Sequence, residues 1–240
     1  LDCLAFDVGN SATKVGHFSH GDWRPTRVFE TVEEALEAVS GLNVDHHIVS
    51  SVAHTPAQLS QIFAGIPSLL IMDWHTPVPL HNAYGTPQTL GVDRLAAAVG
   101  ANARHPDRDV LIIDIGTAIK YDLVDAENTF RGGMIAPGRR LRFQALHTFT
   151  QKLPLVESAE VPALLGTSTE SCIQSGVMNG IAAELNGVIE SYQESYNPVV
   201  LLCGGDATLF ETQIKYPTFA APNLVLEGLI RILLYNVAEA

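Results

Sequence analysis

The chain is poor in positive charge: 14 Lys and Arg stand against 26 Asp and Glu in 240 residues, a net charge of -12. A nucleic-acid groove needs a basic stripe to neutralise phosphates, so no nucleic-acid partner is expected. The deficit does not exclude a nucleotide, which a few backbone N–H groups and one Lys can hold. Cysteine is also scarce. Cys3, Cys172 and Cys203 form no C-x-x-C pair, and an odd number in apolar settings reads as reduced core thiols in a cytoplasmic protein. No apolar run reaches the roughly 18 unbroken residues of a membrane span, so no membrane association is expected. The first residues lack a basic stretch before an apolar run, which reads as no signal peptide, and Leu1 in place of Met points to a trimmed start. What is present is apolar. With 47% hydrophobic and 17% charged residues, the chain reads as globular and long enough for a substantial core.

Short β-branched or apolar runs bounded by turn residues predict strands at Cys3–Val8, Thr13–Phe18, His47–Val52 and Ser68–Met72. Helical spacing marks Thr31–Val39, and helices are also expected at Pro56–Phe63 and the Ala-rich Val92–Arg104. Trp74–Gln88 reads as a long loop, which in a compact domain is usually functional or disordered. The pattern then restarts with strands at Asp109–Ile115, Ala118–Val124 and Thr129–Ile135, the last holding Gly132-Gly133 as a bulge or close approach. A basic helix at Arg139–Phe149, a long helix at Thr169–Tyr192, a strand at Val199–Cys203 and a helix at Pro222–Val237 follow. Gly176, Gly180 and Gly187 suit the long helix to close helix packing, and Arg139, Arg140 and Arg142 read as a solvated face or part of a rim. His46, His47 and His54 lack the i, i+4 spacing of a zinc site and read as strand-edge residues.

An internal repeat organises the chain. Leu4-Ala5-Phe6-Asp7-Val8-Gly9 matches Leu111-Ile112-Ile113-Asp114-Ile115-Gly116, 107 residues later. Each copy ends an apolar strand in Asp-x-Gly and turns back into a second strand. That spacing is too long for a solenoid. It fits two related α/β lobes, 1–108 and 109–240, facing each other across a ligand cleft.

The first turn carries the clearest chemistry. An Asp ending a buried strand is costly unless paired, metal-bound or solvated, and Gly9 lets the backbone approach a phosphate. Asn10 and Ser11 add donors and Lys14 adds a cation, so the segment could cradle a triphosphate while Asp7 holds Mg²⁺ through water. An ordinary hairpin turn is the alternative. Leu201-Leu202-Cys203-Gly204-Gly205-Asp206 is a strand ending in a Gly pair, where a flat ring or ribose could lie on the backbone, or where a plain strand–helix turn sits.

Three further stretches complete an ordered set. They are Tyr84-Gly85-Thr86-Pro87-Gln88-Thr89-Leu90-Gly91-Val92-Asp93-Arg94; Asp114-Ile115-Gly116-Thr117-Ala118 with Gly132-Gly133-Met134-Ile135-Ala136-Pro137-Gly138 and Leu153-Pro154; and Gly166-Thr167-Ser168-Thr169 leading into Gln174-Ser175-Gly176. Taken in order from residue 7 to 205, the set resembles the type III pantothenate kinases of the acetate kinase–sugar kinase–hsp70–actin superfamily. The resemblance implies two ribonuclease-H-like, actin-like ATPase lobes with mixed sheets flanked by helices and a nucleotide cleft between them. It implies transfer of the ATP γ-phosphoryl group to pantothenate.

The same resemblance distributes roles. The ATP phosphates fall to Asp7, Val8, Gly9, Asn10, Ser11, Ala12, Thr13 and Lys14, with Thr117, and adenosine to Gly204 and Gly205. Asp93 becomes the general base or orienting carboxylate that alcohol phosphorylation needs. Tyr84, Gly91, Val92, Asp93, Arg94 and Thr169 fall to pantothenate, with Arg94 suited to a carboxylate or phosphate. Helix caps or core packing are the alternatives for Thr169, Tyr84, Asp93 and Arg94. Asp114 would bind a monovalent cation, potassium or ammonium. Lys120 departs from the small or polar residue usual there and could compete for that place. A homodimer with pantothenate sites near the subunit interface is implied. The rivals are another kinase or phosphatase of the superfamily, or a non-catalytic accessory factor of a transcription regulator.

Overall fold

The computed structural model describes residues 1–238. Their elements begin β1 (Asp2–Val8), β2 (Thr13–Ser19), β3 (Asp22–Trp23), β4 (Arg27–Phe29), α1 (Val32–Val39), β5 (His46–Ser51), α2 (Pro56–Ile62), β6 (Leu69–Ile71), β7 (His81–Asn82) and α3 (Val92–Arg104). They continue β8 (Val110–Ile115), β9 (Ala118–Val124), β10 (Thr129–Pro137), α4 (Arg139–Thr148), α5 (Thr169–Tyr196), β11 (Val199–Cys203), α6 (Ala207–Phe210), β12 (Phe219–Ala220) and α7 (Leu224–Ala238). The expected long loop thus contains β7 and leads into a 3₁₀ turn at Pro87–Thr89.

Two units emerge. One comprises Leu1–Arg108, Val124–Gly132 and the chain from Asn223 on; the other comprises Asp109–Leu123 and Gly133–Pro222. This grouping differs from a single cut after residue 108, because the tip of the β9–β10 hairpin and the closing helix go with the first unit.

In the first unit the strand order is β3-β2-β1-β5-β6, with β4 also on β2. β1 runs antiparallel to β2 and parallel to β5. Alternate side chains serve two faces. Leu4, Phe6, Val15, Val49 and Phe63 share one core cluster with α1 and α2, and Phe6 meets Phe63 edge-on at 5.1 Å. Cys3, Ala5 and Ile48 alternate with them and are fully buried. Thr31 caps α1, and Thr55 with Gln58 forms a capping box on α2, with Pro56 in the first turn. α7 packs along α3 more extensively than any other two elements pack among the described residues. Small residues permit this: a methyl group at Gly100 would lie 2.5 Å from the Leu224 carbonyl oxygen, and one at Gly228 would run into the Ala96 carbonyl. Arg104 closes the pair with a two-pronged ion pair to Glu227, both N–O distances 2.6 Å. β5 lies inside this sheet, so the expectation of strand-edge histidines needs correction. His47 is buried, with Nδ1 2.9 Å from the Pro67 carbonyl oxygen.

In the second unit β11 runs parallel to β8 and β12, and β8 continues to β9 and β10. The unit's core sets α5, through Ile173, Val177, Ile181 and Leu185, with Ile113 and Ile115 of β8 and Ile119 and Tyr121 of β9. Ser168 and Ser171 form the capping box of α5, and Asn197 ends it in a left-handed conformation at φ 48°. The Tyr121 hydroxyl donates to Glu184 Oε1 at 2.8 Å, while Arg142 holds Oε2 at 2.6 Å. Burial first, then the Glu184 carboxylate, pushes the phenol far above its ordinary pKa. The basic helix α4 is therefore not a solvated face. Arg142 and Arg139 are largely buried in ion pairs, and only Arg140 of the three is exposed. Gly176, Gly180 and Gly187 depart from expectation too: a methyl group at each would meet nothing within 4 Å, so no helix packs on them among the described residues. Cys172 is exposed, unlike the buried Cys3 and Cys203, and is not a core thiol. No helix among the described residues is long and apolar enough to cross a membrane.

Candidate active site

The first unit places two groups of the expected residues. The β1–β2 register puts Asp7 opposite Lys14 and Val8 opposite Thr13. Between them Gly9 N–H donates to the Ala12 carbonyl at 3.1 Å, closing a four-residue turn that leaves Asn10 and Ser11 exposed. Val8 and Thr13 are buried and anchor the turn. Asp7 is half-buried at the strand end. On its other side it pairs with Ser50 of β5, whose hydroxyl donates to Asp7 Oδ1 at 3.4 Å. Ser51 Oγ fixes the next residue by donating to the Val8 carbonyl at 3.1 Å. A carboxylate, backbone N–H groups, two hydroxyl-bearing or amide side chains and one ammonium thus share one turn.

The second group begins α3. Gly91 is the helix N-cap and Val92 the first helical residue, so Asp93 stands in the first turn. Its Oδ1 accepts from its neighbour's backbone, Arg94 N–H, at 2.9 Å. Free N–H groups and the helix dipole make this end hospitable to negative charge. Arg94 is buried, 6% exposed, with its guanidinium 5.5 Å from the Tyr84 ring centre and 5.9 Å from that of Phe130. Tyr84 is half-buried, 6.0 Å from Phe130, and its backbone N–H donates to Asn82 Oδ1 at 3.0 Å. Phe130 reaches this position because Thr129 and Phe130 pair with His81 and Asn82. The loop carrying Tyr84 is thereby tied to the start of α3 through a stacked cation.

The second unit holds the other expected residues. The β8–β9 turn is one residue tighter than the first: Gly116 N–H donates to the Ala118 carbonyl at 3.1 Å, and Thr117 is exposed at its tip. Asp114 is half-buried with Lys120 Nζ 2.6 Å from its Oδ2. Parallel pairing sets Cys203 beside Asp114, so the next residue, Gly204, passes over the turn. Gly204 has φ +93°, and a methyl group there would lie 2.5 Å from Asp114 Oδ1; only glycine suits both the angle and the gap. Gly205 is exposed beside open space. Thr169 is the exposed first residue of α5; Ser168, not Thr169, makes the cap, which removes the capping alternative.

Two neighbours carried no sequence signal. Ser50 is visible beside Asp7 only once strand order is known. Arg139 forks onto Asp206, next to Gly205, at 3.2 and 3.3 Å, and donates to the Ser158 carbonyl at 2.6 Å. Its partners lie 67 and 19 residues away, beyond any local pattern.

Comparison with known proteins gives a family. A family model described as type III pantothenate kinase matches residues 3–191. A type III pantothenate kinase of Cytophaga hutchinsonii is 42% identical over 235 residues, covering 98% of this chain and 99% of its own. Among solved structures, a conserved candidate Baf family transcriptional activator from Campylobacter jejuni has a TM-score of 0.65 at 18% identity, covering 98% of this chain and 99% of its own. A ROK family glucokinase from Streptomyces griseus, solved with glucose and AMPPNP, has a TM-score of 0.56 at 14% identity, covering 98% and 99%. At those identities the two structures speak to the fold alone, a mixed α/β architecture with two sheets flanked by helices.

Proposed function

This chain belongs to the type III pantothenate kinase family, and from that membership we propose that it transfers the γ-phosphoryl group of ATP to the hydroxyl of pantothenate, giving 4′-phosphopantothenate for coenzyme A synthesis. The observation that carries the reading is the placement of Asp93, a half-buried carboxylate held by a backbone N–H in the first turn of α3. Asp93 takes or orients the proton of the attacking hydroxyl. Tyr84, Gly91, Val92, Arg94 and Thr169 serve pantothenate. Arg94 acts as the buried support of Tyr84, since its guanidinium lies against that ring.

The β1–β2 turn, Asp7 to Lys14, serves the phosphates of ATP, with Thr117 on the matching turn of the second unit and Gly204 and Gly205 toward adenosine. What supports this is the pair of Asp-x-Gly turns between antiparallel strands, in each of which the glycine N–H donates to a carbonyl on the far side of its turn, Gly9 to Ala12 and Gly116 to Ala118. Asp7 fits Mg²⁺, being a hard oxygen donor, half-buried at a strand end and suited to hold the ion through water. When bound, the ion offsets phosphate charge. A monovalent cation at Asp114 does not fit the residues present, because the Lys120 ammonium already stands there.

The protein acts in the cytoplasm as a homodimer in this reading. Exposed Leu164 and Leu165 and the open face of α5 are available for a subunit contact. Light scattering on the purified chain tests the dimer. The function is tested by ADP release with and without pantothenate, with the product identified by mass. Pantothenate-dependent ADP release supports the kinase. Its absence would leave a binding-only role, such as an accessory factor for a transcription regulator.

A further inference from the structure

The Asp114 carboxylate is closed on both sides. On one side Lys120 Nζ lies 2.6 Å from Oδ2, with the two side chains 19% and 20% exposed. On the other, the backbone of Gly204 passes so near that a methyl group there would be 2.5 Å from Oδ1. A metal ion entering between these groups would have to stand beside a fixed ammonium of the same sign, which disfavours it. Strand alternation keeps Lys120 in this place. Ile113 and Ile115 of β8 and Ile119 and Tyr121 of β9 all face the α5 core, so Asp114 and Lys120 both project from the opposite face of the sheet. Lys120 sits on the returning strand of the same hairpin, three residues beyond Thr117, on a rigid element rather than a loop.

We infer that the chain carries its own monovalent cation: the Lys120 ammonium occupies, at Asp114, the place that family resemblance gives to potassium, and the enzyme needs no added ion there. This deepens the kinase reading and rests on it. The physical logic is charge balance. A bare Asp114 carboxylate, three residues from Thr117, would repel a phosphate bound at that turn. An ammonium paired with it removes the repulsion as a bound potassium ion would. Both are compact and singly charged, but the lysine is covalently delivered and arrives with every molecule. Lys120 is in this sense a positioning residue, acting on the nucleotide through Asp114.

The test uses the full chain, ATP and pantothenate, with chloride salts of potassium, ammonium, sodium and tetramethylammonium at fixed ionic strength. Wild-type ADP release is expected to be equal in all four. Lys120→Ser is expected to lose at least about tenfold in tetramethylammonium, the change that roughly 1.4 kcal/mol of lost neutralisation gives, and to regain it in potassium or ammonium. A merely structural ion pair would not produce that rescue. A second readout needs no catalysis: potassium chloride, compared with tetramethylammonium chloride, should raise the melting temperature of Lys120→Ser and leave the wild type unmoved. A wild type stimulated by potassium, or a Lys120→Ser protein indifferent to every cation, overturns the inference. If Lys120→Ser does not fold, Lys120→Met keeps the stem length without the charge, and the wild-type panel decides independently. Absence of ADP release by the wild type in every salt defeats the kinase reading instead. The melting comparison then still judges the site, since a potassium-specific rise in the wild type would show that Lys120 does not fill it.

Discussion

Gly91 and Asp93 share one small space at the start of α3: a methyl group on Gly91 would lie 2.5 Å from Asp93 Oδ1. The missing side chain at the N-cap is what lets the carboxylate fold back onto Arg94 N–H. The short segment therefore fixes a carboxylate by leaving something out.

Gly91→Ala should displace the Asp93 carboxylate without unfolding the helix. The expected result is a fall in kcat of about 10²-fold, the scale of a 1 Å misplacement, with the melting temperature little changed. Steady-state ADP release beside a thermal melt checks it. A variant with unaltered kcat would show that the carboxylate position does not matter.

Asp93→Asn keeps size and the backbone hydrogen bond while removing the carboxylate proposed as the base. Turnover should drop by roughly 10²–10⁴-fold, with ATP affinity and circular dichroism close to wild type. Near wild-type turnover would sink the role given to Asp93.

Asp7→Ala should weaken use of Mg²⁺ and ATP more than that of pantothenate. Asp7 faces Lys14 across the turn and Ser50 behind it, so its loss removes the one carboxylate of the β1–β2 turn proposed to hold the phosphates. Titration of each substrate separately distinguishes the outcomes; an unchanged apparent ATP affinity and rate contradict the assignment.

Stability should fall as the solution becomes acid, partly through His47. Burial holds its imidazole below the ordinary pKa, its hydrogen bond to the Pro67 carbonyl works against this, and His46 beside it lowers it further. The unfolded chain takes up a proton near the usual value of about 6.5, whereas the folded chain resists until lower pH. The full contribution is therefore present above that value and is lost as pH falls toward the folded one. Urea midpoints at about pH 7.5 and about pH 5.5 should differ more in wild type than in His47→Gln. Equal differences would show that His47 does not contribute.

Much of this was legible because local chemistry and tertiary structure agree. The Ala-rich composition predicts a helix over Val92–Arg104, and the helix lies there with Gly91 as its N-cap. Both Asp-x-Gly turns were readable from the switch between apolar alternation and turn residues. The two-residue strands β3, β7 and β12 were not, because a pair of residues has no period. The attachment of α7 to the first unit was hidden as well, since Gly100 and Gly228 identify each other only after folding. At the site, the Asp7, Asp93 and Asp114 segments stood out locally. The Arg139 fork onto Asp206 depends on distant chain, and the local pattern left both a solvated face and a rim open for that residue. Lys120 was conspicuous in sequence, but its direction was settled only by the burial of Ile119 and Tyr121 on either side of it.

The partnership of α3 with α7 has a consequence for the order of events at the ribosome. The helix that presents Asp93 ends at Arg104, yet α7, the helix that covers it, begins only at Leu224 and is made much later. The first unit is thus translated early and completed late, whereas most of the second is one continuous stretch, Gly133–Pro222. A nascent chain stalled before Asn223 should leave α3 open to protease or chaperone, and extension through α7 should close it. Since Asp93 rides on α3, a partly made chain would hold the β1–β2 turn before it holds Asp93 on a covered helix. Vectorial synthesis would thereby withhold competence until α7 has been made.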